Sequence, residues 1–378
     1  MSLNSIDGWL IYDYRYSNPV MEDTIGHIPN MTRPYWFWIP MDSEPVILSS
    51  TVDIERFPES NIKKLSWSSR LQMIDILNQT LRTSNTIAME YSPNCELPRV
   101  SRVDAGTIEL VRQSGVEVVS SADLFQYSTQ IWSSKDLKSH IKASELLTNI
   151  VHEAFNYIGD NIIANVTEFE VAEFIRSRFI DENMVITDGP VVATNEHSSD
   201  PHYDPAKQGS STIQQGDWVL IDLWSRVSGE ETMSADITWT GYVGDKIPDK
   251  NQTVFDIVIG ARDCALNYLK DAHNDGRFVQ GCEMDKVARE YIYKAGYGEY
   301  FKHRLGHSIG KEIHSNSVNL DSYETYDTRR IIPGIAFSIE PGIYLPEFGV
   351  RSEIDVFLSD DGPIATTAMQ TAPVTIGV

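Results

Sequence analysis

Four carboxylates and one imidazole lie in short, apolar, strand-like segments, where a charge is costly to bury. The residues are Asp222, Asp236, His307, Glu340 and Glu353, in the segments VLIDLW, SADITWT, RLGHSIG, FSIEPGIY and VRSEIDV. A buried carboxylate must be paired, neutralised or bound to a metal, and most of these segments carry no cationic partner. The set therefore predicts two divalent cations, and two cations a few ångströms apart indicate hydrolysis by a bridging hydroxide.

The two aspartates, Asp222 and Asp236, flank a predicted hairpin at residues 228–230. Their side chains face one side of the sheet if the strands pair in the right register. The alternative is two aspartates at strand ends that face solvent. The apolar run at residues 219–221 favours burial of Asp222.

His307 lies between Gly306 and Gly310, which let the backbone approach a ligand closely. A lone histidine usually has a structural role. Because His303 and His314 are close in the sequence, the cluster favours metal binding and proton transfer instead.

Glu340 precedes Pro341, so the strand is expected to bend there. Arg351 and Glu353 are two residues apart and could form an ion pair, or Arg351 could orient a carboxylate that also binds metal. Oxygen ligands with one nitrogen and no thiolate suit a site for Mn²⁺, Co²⁺ or Zn²⁺. They do not suit a structural zinc site, which would prefer cysteine.

The elements that must position these side chains form a repeated pattern from about residue 135 onward. Ser134 is predicted to cap a long helix, and Thr167 with Glu170 has the spacing of a capping box for the next helix. Strands follow, then two more helices and more strands, so the region consists of two helix-helix-strand halves. Two such halves would bring their strands together and leave a cleft between the sheets. The fold class predicted is α+β.

The first third of the chain alternates short strands and helices, which is typical of an α/β domain. A break near residue 133 predicts an N-terminal domain at residues 1–133 and a catalytic domain at residues 134–378.

Composition limits the classes of function. The chain has 378 residues and a formal net charge of −23, which argues against nucleic acid and anionic membranes as partners. Three cysteines without metal-type spacing predict reduced thiols in a cytoplasmic protein. We expect no signal peptide and no membrane span.

As a set, these residues resemble the metallopeptidases of the pita-bread fold: Xaa-Pro aminopeptidases, Xaa-Pro dipeptidases (prolidases) and methionine aminopeptidases. The resemblance implies that Asp222, Asp236 and Glu353 hold one metal, and that Asp236, His307, Glu340 and Glu353 hold the other. Mn²⁺ is favoured, with Co²⁺ or Zn²⁺ as alternatives.

The resemblance also implies roles around the substrate. Glu340 would accept a proton, and His202 would steady the leaving-group side. His303 and His314 would stabilise the tetrahedral intermediate and bind the proline end. Arg351 matches the family's arginine two residues before the last glutamate.

The N-terminal domain is similar to the extra domain of prolidases, Xaa-Pro aminopeptidases and creatinases, which commonly contributes to dimerisation, so a homodimer is expected. The chain departs from the family where Met233 and Trp239 replace a tyrosine and an arginine. We expect Trp239→Arg to change substrate preference more than metal content.

The sequence thus predicts an exopeptidase with two metals that hydrolyses Xaa-Pro bonds in dipeptides or short peptides. The alternatives are an Xaa-Pro aminopeptidase acting on longer peptides, a creatinase-like C–N hydrolase, and a binding module with a spent site. The last two are disfavoured because such relatives lose metal ligands, whereas all five positions are kept here.

We predict that Glu340→Ala nearly abolishes turnover while the protein stays folded, because the same carboxylate is a predicted ligand and the implied proton acceptor. Peptide hydrolysis and circular dichroism measure the two properties. Equal activity in the variant and the parent would remove Glu340 from the mechanism.

Overall fold

The computed structural model describes residue 1 and residues 5–186, 188–201 and 203–377. The chain divides into two compact units, Met1–Thr129 and Gln130–Val378. The division into an N-terminal domain at residues 1–133 and a catalytic domain at residues 134–378 stays a prediction. Within the described part of the chain, every helix is too short or too polar to cross a membrane.

The first unit is built on one sheet with the strand order β4-β3-β2-β1-β5-β6. Its strands are β1 (Gly8–Asp13), β2 (Tyr35–Pro40), β3 (Val46–Ser50), β4 (Lys63–Trp67), β5 (Thr86–Met89) and β6 (Glu117–Ser120). Its α-helices are α1 (Pro19–Ile25), α2 (Arg70–Leu81), α3 (Ala105–Arg112) and α4 (Ala122–Thr129), and its short 3-10 helices are Ile54–Arg56, Pro93–Cys95 and Pro98–Val100.

Both faces of this sheet are covered by apolar side chains. Leu10 and Tyr12 of β1 pack in one core, whereas Trp9 and Ile11 pack in the other. This is the alternation expected of a strand whose two sides are both buried. The predicted alternation of short strands and helices is observed. The signal for β4 in the sequence is weak, because Trp67 is the only residue of this strand that is buried.

Among its described residues, the second unit has four α-helices in two pairs, ten strands and three short 3-10 helices. The α-helices are α5 (Ser134–Asn161), α6 (Glu168–Asp181), α7 (Asp249–Asn274) and α8 (Gly281–Lys294), and the 3-10 helices are Ile162–Ala164, Asn195–Ser199 and Gly298–Tyr300. The strands are β7 (Val191–Thr194), β8 (Trp218–Ser225), β9 (Ala235–Val243), β10 (Ser308–Ile309), β11 (Ala336–Ile339), β12 (Gly342–Leu345), β13 (Phe348–Arg351), β14 (Ile354–Ser359), β15 (Gly362–Ala365) and β16 (Val374–Ile376).

The predicted helix-helix-strand repeat is present. In the first half, α5 and α6 share a core with the sheet β16-β9-β8-β7. In the second half, α7 and α8 share a core with the sheet β10-β11-β14-β15 and the hairpin β12-β13. Each helical pair therefore supports one set of strands from behind.

Local sequence signals set where the first two of these helices begin. The Thr167 and Glu170 capping box is present and starts α6. The long helix α5 is capped by Ser133 and not by Ser134, because Asp136 completes a capping box three residues after Ser133.

Two isoleucines on α6 test how much its packing stabilises this unit. Ile175 is fully buried, whereas Ile180 is 65% exposed on the same helix. We predict that Ile175→Ala lowers the free energy of unfolding by about 2–5 kcal/mol, and that Ile180→Ala changes it by less than about 0.5 kcal/mol. Urea unfolding followed by circular dichroism measures both, and similar losses in the two variants would contradict the packing described.

Candidate active site

The hairpin of β8 and β9 carries the two predicted aspartates on one face. Asp222 lies opposite Thr238, and Trp224 lies opposite Asp236. Residues that are opposite each other, or two apart on one strand, share a face of the sheet. The prediction that both carboxylates face the same side is therefore confirmed, with both strands buried along this stretch.

The second half of the unit supplies His307, Glu340 and Glu353 from strand ends. His307 immediately precedes β10, and Glu340 follows β11, with Pro341 between Glu340 and the first residue of β12. Glu353 lies between β13 and β14, and its backbone N–H donates to the carbonyl of Thr238 on β9 at 3.2 Å. This bond ties the second half directly to the strand that carries Asp236.

The predicted ligand positions converge on one cavity of about 910 Å³, which all five of them line. The His307 Nε2 atom is 3.4 Å from Glu340 Oε1 and 3.6 Å from Asp236 Oδ2. Asp236, His307 and Glu353 each offer a ligand atom within 4.8 Å of the others. Two hydrogen bonds position His307: its backbone N–H donates to Ser338 Oγ at 3.0 Å, and its ring Nδ1 lies 3.2 Å from the carbonyl of Ser308.

Several carboxylate oxygens in this cavity have no hydrogen-bond donor among the described residues. These buried oxygen atoms are Asp222 Oδ1, Asp236 Oδ1 and Glu353 Oε1. Orphaned buried oxygens are costly unless something positive contacts them. Divalent cations would supply that contact, so the donor set fits the predicted group.

Burial raises the pKa of Asp236 well above its ordinary value, and the charge of Asp222 adds to this shift. Burial likewise raises the pKa of Glu353, with repulsion from Asp236 as the next cause. Burial acts on Glu340 in the same direction, but attraction to His307 and His303 outweighs it and leaves the pKa of Glu340 lowered. The cavity therefore holds one readily ionised glutamate among carboxylates that repel each other.

Arg351 links the ligands of the two halves. Its Nη2 donates to Asp222 Oδ2, and its Nε donates to Thr238 Oγ1 at 3.0 Å. Thr238 in turn donates its hydroxyl to Glu353 Oε2 at 2.8 Å. The predicted Arg351–Glu353 ion pair is wrong, because the guanidinium crosses to the first half and reaches Glu353 only through Thr238.

His303 is a neutral imidazole held by two hydrogen bonds. Burial lowers its pKa to about 4. Its Nδ1–H donates to the carbonyl of Arg304 at 2.7 Å, so its Nε2 accepts from the Tyr344 hydroxyl at 2.8 Å. Tyr344 also accepts from Arg351 Nη1 at 3.2 Å, so a hydrogen-bonded chain runs from His303 to Asp222.

The other predicted histidines have different outcomes. The ring of His314 lies edge-on to that of His307, with centroids 4.4 Å apart, and it lines the cavity. His202 lies outside the described residues, so its predicted role stays a prediction. Its described neighbours Pro201 and Tyr203 line the cavity.

The wall near Tyr203 is held by a glutamate that the sequence did not single out. Glu168, at the start of α6, is fully buried and accepts hydrogen bonds from Thr194 N–H at 2.6 Å, Tyr203 OH at 2.6 Å and Ser211 N–H at 2.8 Å. His197 Nδ1 adds a contact at 2.9 Å. One carboxylate thus gathers three stretches of chain behind the cavity.

Tyr344, Thr238 and Asp355 are further site residues that sequence reasoning missed. Asp355 Oδ2 accepts from the backbone N–H of Asp236 at 2.8 Å. Thr238 lies two residues after Asp236 and opposite Asp222, and Asp355 lies two residues after Glu353, whereas Tyr344 has no such relation to a predicted ligand. The period of two along a strand could therefore have indicated Thr238 and Asp355.

The expectation for Trp239 is not supported by its position. It lies on the opposite face of β9 from Asp236 and packs in the core against His152, with ring centroids 4.8 Å apart. Met233 packs beside Trp132 and Ile309 in a small separate cluster. Neither residue lines the cavity, because the strand alternation turns Trp239 away from it.

Comparison with known proteins agrees with this arrangement. The sequence profile of metallopeptidase family M24 matches residues 141–360. The chain belongs to metallopeptidase family M24. Its recognition as a pita-bread metallopeptidase, made from the ligand motifs, is confirmed.

Relatives with known names match over part of their length. The chain is 36% identical to YkvY of Bacillus subtilis over 178 residues, which cover 47% of this chain and 44% of that protein. It is 32% identical to the Xaa-Pro dipeptidase of Lactobacillus helveticus over 212 residues, which cover 55% of this chain and 53% of that protein. The matched segments thus span about half the length of these M24 relatives.

Solved structures match over nearly the whole chain. Dipeptidase PepE from Mycobacterium ulcerans superposes with a TM-score of 0.67 at 22% identity, covering 100% of this chain and 95% of that one. The prolidase from Pyrococcus horikoshii gives a TM-score of 0.57 at 26% identity, covering 98% and 96%. The predicted fold, an M24 catalytic region with a smaller N-terminal α/β unit, is confirmed.

The hydroxyl of Tyr344 tests the hydrogen-bonded chain behind the carboxylates. We predict that Tyr344→Phe weakens divalent-cation binding by about 10–100-fold, the usual effect of removing a group that orients metal ligands. Tyr291→Phe, on a side chain that is 39% exposed, should bind cations as the parent does. Isothermal titration of the metal-free proteins with Mn²⁺ measures both, and equal affinities in the three proteins would contradict the prediction.

Proposed function

We propose that the protein is an exopeptidase that uses two divalent cations to hydrolyse Xaa-Pro bonds in dipeptides or short peptides. The observation that carries this proposal is the group of buried carboxylate oxygens, unpartnered among the described residues, around His307 in one open cavity. Family membership supports the peptidase class, and the relative named Xaa-Pro dipeptidase supports the preference for proline.

The cations would be held by the five predicted ligand positions that line the cavity, and Asp236 and Glu353 would be shared between them. These five positions are Asp222, Asp236, His307, Glu340 and Glu353. Cations of this kind, when bound, activate water and polarise the scissile carbonyl. His307 is in a suitable tautomer, because its Nδ1–H donates to the carbonyl of Ser308 at 3.2 Å and leaves Nε2 free to bind.

The chain's own groups supply the rest of the chemistry. Glu340 is ionised at neutral pH, since its pKa is lowered, so it can accept a proton from the attacking water. His303 is neutral and fixed by Tyr344, which suits a group that contacts the substrate without adding charge. Arg351 keeps Asp222 in place across the two halves.

Selectivity for proline has a physical basis in its fixed φ and missing N–H, which a shaped site can recognise by fit. An aminopeptidase that acts on longer Xaa-Pro peptides is the second candidate, and the X-Pro aminopeptidase from Thermotoga maritima has the same fold with a TM-score of 0.59. Mn²⁺ as the cation, a homodimer and a cytoplasmic location remain parts of the proposal. The thiols of Cys95, Cys264 and Cys282 are free, which accords with a reducing compartment.

Metal removal and a substrate panel test the proposal. We expect about two equivalents of Mn²⁺ per chain after mild dialysis, loss of activity on chelation, and recovery when Mn²⁺ is added back. The panel sets Ala-Pro, Met-Pro and Leu-Pro against Xaa-Pro-Xaa tripeptides and an Ala-Ala control.

A matched pair of variants separates the site from general acidity. Asp236→Asn should lose bound metal and activity, whereas Asp245→Asn, on an exposed residue after β9, should keep both. A parent protein without bound metal, or equal cleavage of Ala-Pro and Ala-Ala, would defeat the proposal.

A further inference from the structure

A second cavity of about 540 Å³ adjoins the carboxylate-lined cavity. Four residues line both: Asp188, Trp224, Ile313 and His314. Because these side chains belong to the surface of each cavity, they form the wall between the two. The second cavity lies within the size range of small-ligand sites and is large enough for an additional amino-acid residue.

Trp224 is the largest side chain in this wall and stands beside the proposed catalytic centre. It is two residues from Asp222 on β8 and directly opposite Asp236 on β9. Its indole therefore projects from the same face of the sheet as both aspartates. A change at this position alters the cavity next to the ligands without removing a ligand.

The position of the indole is fixed by a close approach to the backbone of residue 189. A Cβ atom built on Gly189 would lie 2.6 Å from Trp224 Cη2 and 2.7 Å from Cζ2. Only glycine leaves room for the ring at this distance, so the indole packs directly against the backbone of Gly189. A rigid aromatic wall can exclude part of a substrate with little loss of side-chain entropy.

Folding stability alone does not account for this tryptophan. Its Nε1 atom is buried and has no hydrogen-bond partner among the described residues, although buried tryptophans usually find one. A phenylalanine would fill a similar volume without leaving that donor unpaired. Folding stability therefore does not explain the indole, whereas its place beside Asp222 and Asp236 lets an aromatic ring shape the cavity.

The second cavity has groups that suit the far end of a peptide. Arg226 and Lys311 line it, and neither has a carboxylate within ion-pair distance in the part of the chain that the structure describes. Arg226 Nη1 donates to the carbonyl of Gly229 at 3.0 Å and to Thr232 Oγ1 at 3.1 Å, which holds the guanidinium in place. Asp188 and Glu312 also line this space, so it is polar and charge-balanced.

We propose that Trp224 determines the length of the substrate by closing the catalytic cavity off from the second cavity. This inference rests on the proposed function and makes it more specific: the parent enzyme favours dipeptides because the third residue of a longer peptide meets the indole. Without the indole the two cavities join, and the third residue enters the space lined by Arg226 and Lys311.

The test compares Trp224→Ala with Trp224→Phe, which keeps an aromatic wall. We expect Trp224→Ala to raise the ratio of kcat/KM for Ala-Pro-Ala to that for Ala-Pro by about tenfold or more, which corresponds to about 1.4 kcal/mol. Trp224→Phe should keep a ratio close to that of the parent. Trp224→Leu is made in parallel, because a branched aliphatic side chain packs over Gly189 better than alanine and preserves folding.

Trp239→Phe is the matched control, since Trp239 lies on the other face of the same sheet. It should leave the ratio unchanged. Thermal unfolding and metal content of each variant show that the fold and the ligands are intact. An unchanged ratio in folded, metal-loaded Trp224→Ala and Trp224→Leu proteins would overturn the proposal, as would a parent that already prefers the tripeptide.

Binding measurements separate this inference from the proposed function. Calorimetry with reduced-amide analogues of Ala-Pro and Ala-Pro-Ala reports on length even when no peptide is cleaved. If Trp224→Ala binds the tripeptide analogue more tightly but no variant cleaves peptides, the role of Trp224 in substrate length would be supported and the proposed activity would be wrong. If Xaa-Pro turnover is normal but Trp224→Ala gains neither in the kcat/KM ratio nor in affinity for the tripeptide analogue, only the proposed role of Trp224 would be wrong.

Discussion

Repulsion among buried carboxylates is the constraint on which the rest of this structure depends. Asp222, Asp236, Glu340 and Glu353 share one cavity, and Arg351 is the guanidinium that binds among them. Placing these charges in a buried site raises the pKa values of most of them and leaves oxygen atoms without donors. Such an arrangement is stable only when cations neutralise the carboxylate charges, or when favourable packing in the rest of the fold outweighs their repulsion.

The fold holds the site by joining two rigid halves at their strands. One half supplies Asp222 and Asp236 from a buried hairpin, and the other supplies His307, Glu340 and Glu353 from strand ends. Arg351 and the backbone of Glu353 cross between the halves. Ligands placed on strands that are backed by packed helices move little, which is what a preorganised centre requires. The buried hydroxyls of Thr238, Ser338 and Tyr344 then set the orientation of individual groups.

The shape of the cavity depends on residues other than the carboxylates at its centre. Glu168 gathers the chain behind Tyr203, and Trp224 stands between the two cavities. Both act on the shape of the cleft and not on the charge at its centre.

The sequence by itself determined the proposed ligand positions, the capping box of α6 and the repeated halves. It could do so because a charge in an apolar strand and a helix start are local signals that hold in any fold. The tertiary structure alone decided that Arg351 pairs with Asp222, that Trp224 faces the cavity, and that Trp239 faces the core. These outcomes depend on strand register and on contacts between residues far apart in the chain, and a shift of one residue reverses the face on which every side chain lies.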